Sequence, residues 1–232
     1  MQKVFFVLAL LIFQNAKAQI AIIKDPEGFS NVRQTASSQS KVIDTLSNDQ
    51  LVFIYVEEAE GNWLPLDYQK GNRTRSGYIH KSRIVLLSRL TQFVATIQND
   101  SLLKLQHEGL QVLMKRGRFV SKGRQLMYEK HQGEQQYVKS IDGKFPWGTD
   151  GNIPRIEYKF IQFKSGKQTL NFERMSFEDL FEPNFNMTRA CIDTSTQKIY
   201  LEAINSDGAG AYSVAWTIKN GKIISRDTFI PF

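Results

Sequence analysis

The chain has very little cysteine and histidine, which argues against several kinds of catalytic site. Its 232 residues contain one cysteine, Cys191, so no disulfide can form within the chain. All three histidines precede Cys191, which is not the order of a peptidase whose nucleophilic cysteine comes before its histidine. No two histidines have the helical spacing common in zinc hydrolases. The sequence therefore predicts no metal and no other cofactor, and Cys191 is expected to be a small buried residue.

Long apolar runs are also absent after the first 18 residues, and the serine-hydrolase motifs G-x-S-x-G and S-x-x-K are missing. Residues 1–18 combine Lys3, the apolar stretch 4–13 and a small-x-small site at 16–18, the pattern of a cleavable signal peptide. That stretch is about half of the ~20 residues that span a bilayer. We expect cleavage after Ala18, and because Gln19 rather than cysteine follows, no bacterial lipid anchor. The predicted location is periplasmic or secreted, without a transmembrane segment.

The charge of the chain is moderately basic. The net charge of +7 falls to +5 when Lys3 and Lys17 leave with the signal peptide. An exported chain without any of the usual recognition motifs predicts no nucleic-acid partner. The basic residues of segment 115–124 are expected to form a solvated hairpin face. The alternative is a patch that binds an anionic polymer, lipid headgroups or an acidic protein.

From residue 20 onward, short runs rich in Val, Ile, Tyr, Phe and Trp alternate with Gly, Asn, Asp and Ser, so the chain is predicted to be mainly β. Strands are expected at 20–24, 41–46, 50–58, 62–67, 74–80 and 84–87. Short strands in under 70 residues favour a small barrel, with 25–40 as an ordered wide loop between the first two strands.

Three segments of this first unit resemble a bacterial SH3-like (SH3b) domain. They are "NVRQTASSQSKVIDTL" at 31–46, "GNWLPL" at 61–66 and "GYIHKSRI" at 77–84, and the resemblance covers residues 19–87. It implies a small barrel and a non-catalytic module of exported proteins that holds cell-wall peptide or positions a partner. Paired tyrosines are missing from the quoted loop, so a groove for polyproline helices is not implied.

Five residues of this unit are candidates for ligand binding: Asn31, Arg33, Trp63, Tyr68 and Tyr78. The alternative for Asn31 is that it turns the chain, and for Arg33 that it pairs with a local carboxylate. In so small a barrel, some of the aromatic residues must belong to the core. Tyr78 is the one most readily placed on the surface.

Residues 88–97 are interpreted as a linker. Apolar residues at 90, 93, 94 and 97 permit a short amphipathic helix there, with a connecting strand as the alternative. Residues 98–232 predict an all-β domain of unknown function, an antiparallel sandwich or barrel of nine strands. One short helix is expected at 176–181, capped by Ser176 and ended by Pro183.

Carboxylates in loops of the second unit are candidates for chemistry. Asp150 with Glu182 or Asp207 could perform glycoside hydrolysis, and Trp147 could bind a ligand as a platform for a sugar face. The alternative is that these carboxylates serve turns, since Asp150 and Asp207 each precede glycine. Segments 141–154, 179–184 and 206–212 resemble an uncharacterised domain of exported Bacteroidetes-type proteins, which implies no activity.

The sequence thus predicts an exported, non-catalytic binding protein whose SH3-like unit recognises peptidoglycan peptide or an envelope protein. One alternative is a carbohydrate-active hydrolase that uses the loop carboxylates. The other is an inhibitor or immunity-type protein whose second unit blocks another enzyme.

Overall fold

A computed structural model describes residues 18–71, 73–130 and 135–230. The prediction of a mainly β fold is confirmed, since antiparallel sheets make up most of the described chain and no long helix is present in it. Residues 1–17 of the predicted signal peptide lie outside the described residues. The first strand begins at Ala18, the last residue of that predicted segment.

The first unit is one seven-stranded antiparallel sheet that curves into a half-barrel. Its strands in chain order are β1 (Ala18–Ile23), β2 (Phe29–Arg33), β3 (Val42–Ser47), β4 (Leu51–Tyr55), β5 (Trp63–Lys70), β6 (Arg73–His80) and β7 (Ile84–Leu86). The spatial order is β3-β2-β6-β5-β4-β1-β7, so β3 and β7 are the two edges.

Alternation along β5 shows how the half-barrel fills its interior. Leu64, Leu66 and Tyr68 are buried, whereas Trp63 and Pro65 between them are half-buried on the opposite face. Side chains two positions apart share a face of a sheet. Alternate residues of the neighbouring strands complete the interior cluster.

Residues 25–43 are ordered, as expected, but they are not one wide loop. Residues 29–33 form β2, which the sequence reading missed, and only residues 34–41 connect it to β3. Hydrogen bonds tie this connection down: Gln34 N donates to Lys41 O at 3.0 Å and Thr35 N to Ser40 Oγ at 2.9 Å. Polar residues at alternate positions of β2 face outward, which is why the strand resembles a loop in sequence.

The second unit is a sandwich of two five-stranded antiparallel sheets with a two-stranded hairpin beside it. One sheet contains β9 (Val94–Gln98), β10 (Leu102–His107), β11 (Leu110–Arg118), β14 (Ile156–Ser165) and β15 (Gln168–Asn171). The other contains β8 (Thr91–Gln92), β16 (Thr188–Asp193), β17 (Lys198–Asn205), β18 (Tyr212–Lys219) and β19 (Lys222–Phe229). The hairpin is β12 (Leu126–Glu129) with β13 (Tyr137–Ile141). Between the sheets lies a core that includes Trp216, Tyr212 and Phe163.

Neither of the two helices considered in the sequence forms. In residues 88–97 the strand alternative is observed, and this segment is not a free linker, because β8 joins one sheet of the sandwich and β9 the other. At 176–181 there is no helix either: a single 3-10 turn, Arg174–Ser176, is followed by bridges at Leu180 and Phe181. Phe177, Leu180 and Phe181 are all buried, so packing of these side chains decides the backbone path.

The half-barrel and the sandwich share a third apolar cluster. β1 and β4 contribute Ile20, Ile22 and Phe53 from their outer faces, and the sandwich contributes Tyr200 and Phe229, among others. The rings of Phe53 and Phe229 stack with centroids 5.6 Å apart. β4 is therefore buried on both faces, which explains why residues 51–56 are the longest apolar run of the predicted mature chain.

Candidate functional site

On the outer face of the half-barrel, five polar and aromatic side chains lie together. We call this group the aromatic surface, and it consists of Arg33, Glu60, Trp63, Tyr78 and His80. Strand register brings them to one face, because Arg33 lies opposite Tyr78 and Trp63 lies opposite His80. The turn before β5 holds Glu60 through two backbone hydrogen bonds between Glu60 and Trp63, at 2.9 and 3.1 Å.

Contacts within the aromatic surface fix the side chains. The Arg33 guanidinium lies 5.9 Å from the centroid of the Trp63 ring, within reach of a cation–π interaction. Trp63 in turn contacts His80 edge to face at 5.4 Å. Tyr78 Oη donates to Glu60 Oε1 at 3.0 Å, and this hydrogen bond raises the pKa of the Tyr78 hydroxyl. Since Glu60 is exposed and the other four side chains are only half-buried, the group is accessible to a ligand.

Arg33 keeps donors for a ligand. Among the described residues its one hydrogen bond goes from Nη1 to Ser40 O, at 2.6 Å. A guanidinium has five N–H donors in a planar fork, so the remaining ones can bind a carboxylate. The alternative predicted for Arg33, a local carboxylate partner, is not found among the described residues, where Arg33 contacts the carbonyl of Ser40 and the ring of Trp63.

Two of the predicted candidates lie elsewhere. Tyr68 is 1% exposed, and its Oη donates to Asp44 Oδ2 at 3.0 Å inside the half-barrel. Burial, together with that hydrogen bond, raises the pKa of Tyr68 to about 12. Asn31 is exposed in the middle of β2, where its Oδ1 accepts a hydrogen bond from Thr45 Oγ1 at 3.3 Å. Asn31 therefore does not turn the chain, and Tyr68 belongs to the core.

Sequence reasoning missed two members of the aromatic surface, Glu60 and His80. The two-residue period of β6 was the signal that could have found His80, because it places His80 on the face of Tyr78. Glu60 carries no such signal, since it lies in a turn and only the folded chain brings it to Tyr78.

A second concave region lies beside the sandwich, and we call it the sandwich cleft. Its volume is about 400 Å³. The lining includes Tyr137, Phe145, Trp147, Asp150, Gly210 and Ile230. The rings of Phe145 and Trp147 are 5.0 Å apart at 77°, so they form two walls of a corner.

The three carboxylates considered for hydrolysis do not share this cleft. Asp150 lines it, whereas neither Glu182 nor Asp207 does. The carboxylate of Glu182 accepts hydrogen bonds from Arg155 N at 2.5 Å and from Ile156 N at 3.4 Å. It thus has the turn-stabilising role that the sequence reading gave as the alternative.

Other groups with possible chemistry occupy structural positions. Cys191 is buried in the cluster shared by the two units, as predicted, and burial raises the pKa of its thiol. Within residues 18–71, 73–130 and 135–230, no three histidine, cysteine or acidic side chains are grouped as metal ligands. No helix of this described part has both the length and the apolar composition to cross a membrane.

Comparisons with protein-family models, with curated proteins and with solved structures find no match to the chain. The function is therefore argued from the residues and their geometry.

Proposed function

We propose that this is an exported, non-catalytic binding protein that holds a peptide of the cell envelope on the aromatic surface of its half-barrel. The observation that carries the proposal is the contact between Arg33 and Trp63, with Tyr78 and Glu60 beside them. Two aromatic faces, one cation and one anion in a single accessible group suit an extended peptide with charges of both signs.

Peptidoglycan stem peptide is the proposed ligand. Such peptides carry free carboxylates, which the open donors of Arg33 can bind, and an amino group, which Glu60 can accept as an ammonium. The resemblance of residues 19–87 to SH3-like modules of exported proteins supports the same reading, and so does the signal-like pattern of residues 1–18.

Sedimentation with purified peptidoglycan tests the proposal in the full-length protein. We expect the wild type to pellet with the wall, and Arg33→Ala or Trp63→Ala to weaken binding by about tenfold, because each removes a central contact residue. Trp63→Phe keeps an aromatic platform and should stay within about threefold of the wild type. Tyr128→Ala, a change at a tyrosine that is 45% exposed on the hairpin of the second unit, is the matched control and should bind normally.

Three results would contradict the proposal. If the wild type does not pellet, or if Arg33→Ala and Trp63→Ala pellet as well as the wild type does, the aromatic surface does not hold wall peptide. If soluble fragments appear in the supernatant, the protein is a hydrolase. If the protein does not bind the wall but co-purifies with one enzyme whose activity it blocks, the protein is an inhibitor.

A further inference from the structure

We infer that the sandwich cleft is a second binding site, and that its ligand is a neutral sugar unit of an oligosaccharide. The site is separate from the aromatic surface, since no residue belongs to both. A volume of about 400 Å³ is within the ~300–1,000 Å³ typical of small-molecule sites.

The apolar part of the cleft is a corner of two aromatic rings open to solvent. Phe145 is 64% exposed, although a phenylalanine ring normally gains by burial. Trp147 is half-buried, and the centroid of its ring lies 5.0 Å from that of Phe145 and 5.9 Å from that of Tyr212. The face of a pyranose ring carries C–H groups with slight positive charge, and it can stack on the negative face of an aromatic ring.

The polar part selects against anions. Asp150 is exposed at the cleft, and its carboxylate has no hydrogen-bond or ion-pair partner among the described residues. Lys139 is the one cation in the described lining, and it already pairs with Glu129 at 2.8 Å. A free carboxylate beside aromatic walls can accept hydrogen bonds from hydroxyl groups, which favours a neutral hydroxylated ligand.

The loop that carries these groups is held rigidly in place. Trp147 N donates to Asp179 O and Phe181 N donates to Trp147 O, both at 2.9 Å. Gly148 has a φ of +94°, and a Cβ at this position would lie 2.6 Å from Phe181 O. Asp150 and Gly151 have φ values of +46° and +74°, the conformation expected for an Asp-Gly turn. Such a preorganised loop reduces the entropy lost on binding.

A peptide fits the cleft less well than a sugar does. Peptides commonly bind by adding a strand to a free sheet edge. At this cleft the backbone of β13 is already engaged, because Val138 N donates to Gly151 O at 2.7 Å. The absence of a free cation in the described lining also leaves a peptide carboxylate without a partner.

Calorimetric titration of the full-length protein with chitotriose, cellotriose and maltotriose tests this inference. We expect saturable binding of at least one of these neutral trisaccharides. Phe145→Ala should weaken it by about tenfold through the loss of stacking, and Asp150→Asn by several-fold through the loss of charge-assisted hydrogen bonds. Because the Phe145 ring is mostly exposed, its truncation should leave the fold intact.

Two variants serve as controls, one for the aromatic corner of the cleft and one for the separate aromatic surface. Trp147→Phe keeps a ring in the corner and should retain most of the affinity for the trisaccharide, whereas Trp63→Ala should leave that affinity unchanged while weakening wall pelleting. The inference is overturned if none of the trisaccharides binds, or if binding is the same in Phe145→Ala and Asp150→Asn as in the wild type. It is equally overturned if trialanine peptide, rather than a trisaccharide, binds in a way that depends on Phe145 and Asp150.

Discussion

At the scale of single residues, two carboxylic acids lie on the face of the sandwich that packs against the half-barrel. Glu202 on β17 and Asp227 on β19 flank Ala215 on β18 in one cross-strand row. Burial raises the pKa of Glu202 to about 7, partly offset by the charge of Arg189, its neighbour on β16. Burial also raises the pKa of Asp227. The carboxylate form of Glu202 is therefore unfavourable in the folded protein, which keeps a proton on this side chain to a higher pH than the unfolded chain does.

The pH dependence of stability tests this description. Between the ordinary pKa of 4.5 for Glu202 and its folded value of about 7, the folded state binds more protons than the unfolded state. The free energy of unfolding therefore loses a contribution from Glu202 as the pH rises through this window. Glu202→Gln removes the titration, so its stability relative to the wild type should increase by roughly 1–3 kcal/mol from pH 4.5 to pH 8.

Urea unfolding at several pH values measures this difference. Asp207→Asn changes an exposed carboxylate of the same unit and is the control, with no such gain expected. A Glu202→Gln variant whose stability parallels that of the wild type across the window would show that Glu202 is not desolvated in solution.

At the scale of elements, the connection between β2 and β3 positions the aromatic surface. Ser40 holds it from two sides, because its carbonyl accepts from Arg33 and its hydroxyl accepts from Thr35 N. Small and polar residues fill this connection, and its order comes from these local hydrogen bonds rather than from apolar burial. A loop of this kind remains ordered only while its few hydrogen bonds persist.

Removal of the Ser40 hydroxyl should loosen the connection. We expect Ser40→Ala to lower the free energy of unfolding by about 0.5–1.5 kcal/mol and to increase amide hydrogen exchange at Thr35 and the neighbouring Gln34. Hydrogen exchange read by mass spectrometry measures the effect. Ser38→Ala is the control, since no hydrogen bond of its side chain is present in the described structure. Equal exchange in both variants would mean that the hydroxyl does not order the loop.

At the scale of the whole molecule, the half-barrel and the sandwich are joined by more than the chain between them. The shared apolar cluster is bordered by an ion-pair network in which Lys24 contacts Asp49 and Asp193, and Lys198 contacts Asp49, each at 2.8 Å. Gln69 Nε2 also donates to Thr228 O at 2.9 Å across the interface. Large buried apolar contacts of this kind couple the unfolding of two units.

We therefore expect one cooperative unfolding transition, and a strong effect of Phe229→Ala on the entire molecule. Loss of a fully buried phenylalanine should reduce stability by about 3–5 kcal/mol, with the same midpoint whether the half-barrel or the sandwich is observed. Differential scanning calorimetry and hydrogen exchange measure both. Phe145→Ala, at a mostly exposed ring, should change stability by less than about 0.5 kcal/mol. Two separate transitions, with only the sandwich shifted, would contradict the coupling.

Local patterns predicted much of this architecture, since most strands of the half-barrel were expected within a few residues of their observed bounds. Alternation was clear where one face is buried, as in Leu64, Leu66 and Tyr68 of β5. Alternation did not reveal β2, because polar residues on its outward face make its sequence resemble a loop. At 176–181 a helix was expected, but packing of Phe177 and Phe181 produced a turn and two bridges instead. The spacing of apolar residues in 90–97 permitted a helix, but the segment forms strands because β8 and β9 pair with the two sheets of the sandwich.

The sequence by itself determined that the chain is built from β-strands, because residue alternation and turn chemistry act over a few neighbouring positions. It also determined that no disulfide can form within the chain, because there is only one cysteine, and that the cysteine-then-histidine order of common cell-wall peptidases is missing. Only the tertiary structure decided that Glu60 meets Tyr78, that Glu182 is occupied by the amides of Arg155 and Ile156, and that Asp150 faces an aromatic corner. Asp150 is near Phe145 and Trp147 in the chain, but backbone hydrogen bonds between Trp147 and residues 179 and 181 place their loop. The other two contacts join residues far apart in the chain, and strand register and packing between sheets, which no local pattern encodes, bring them together.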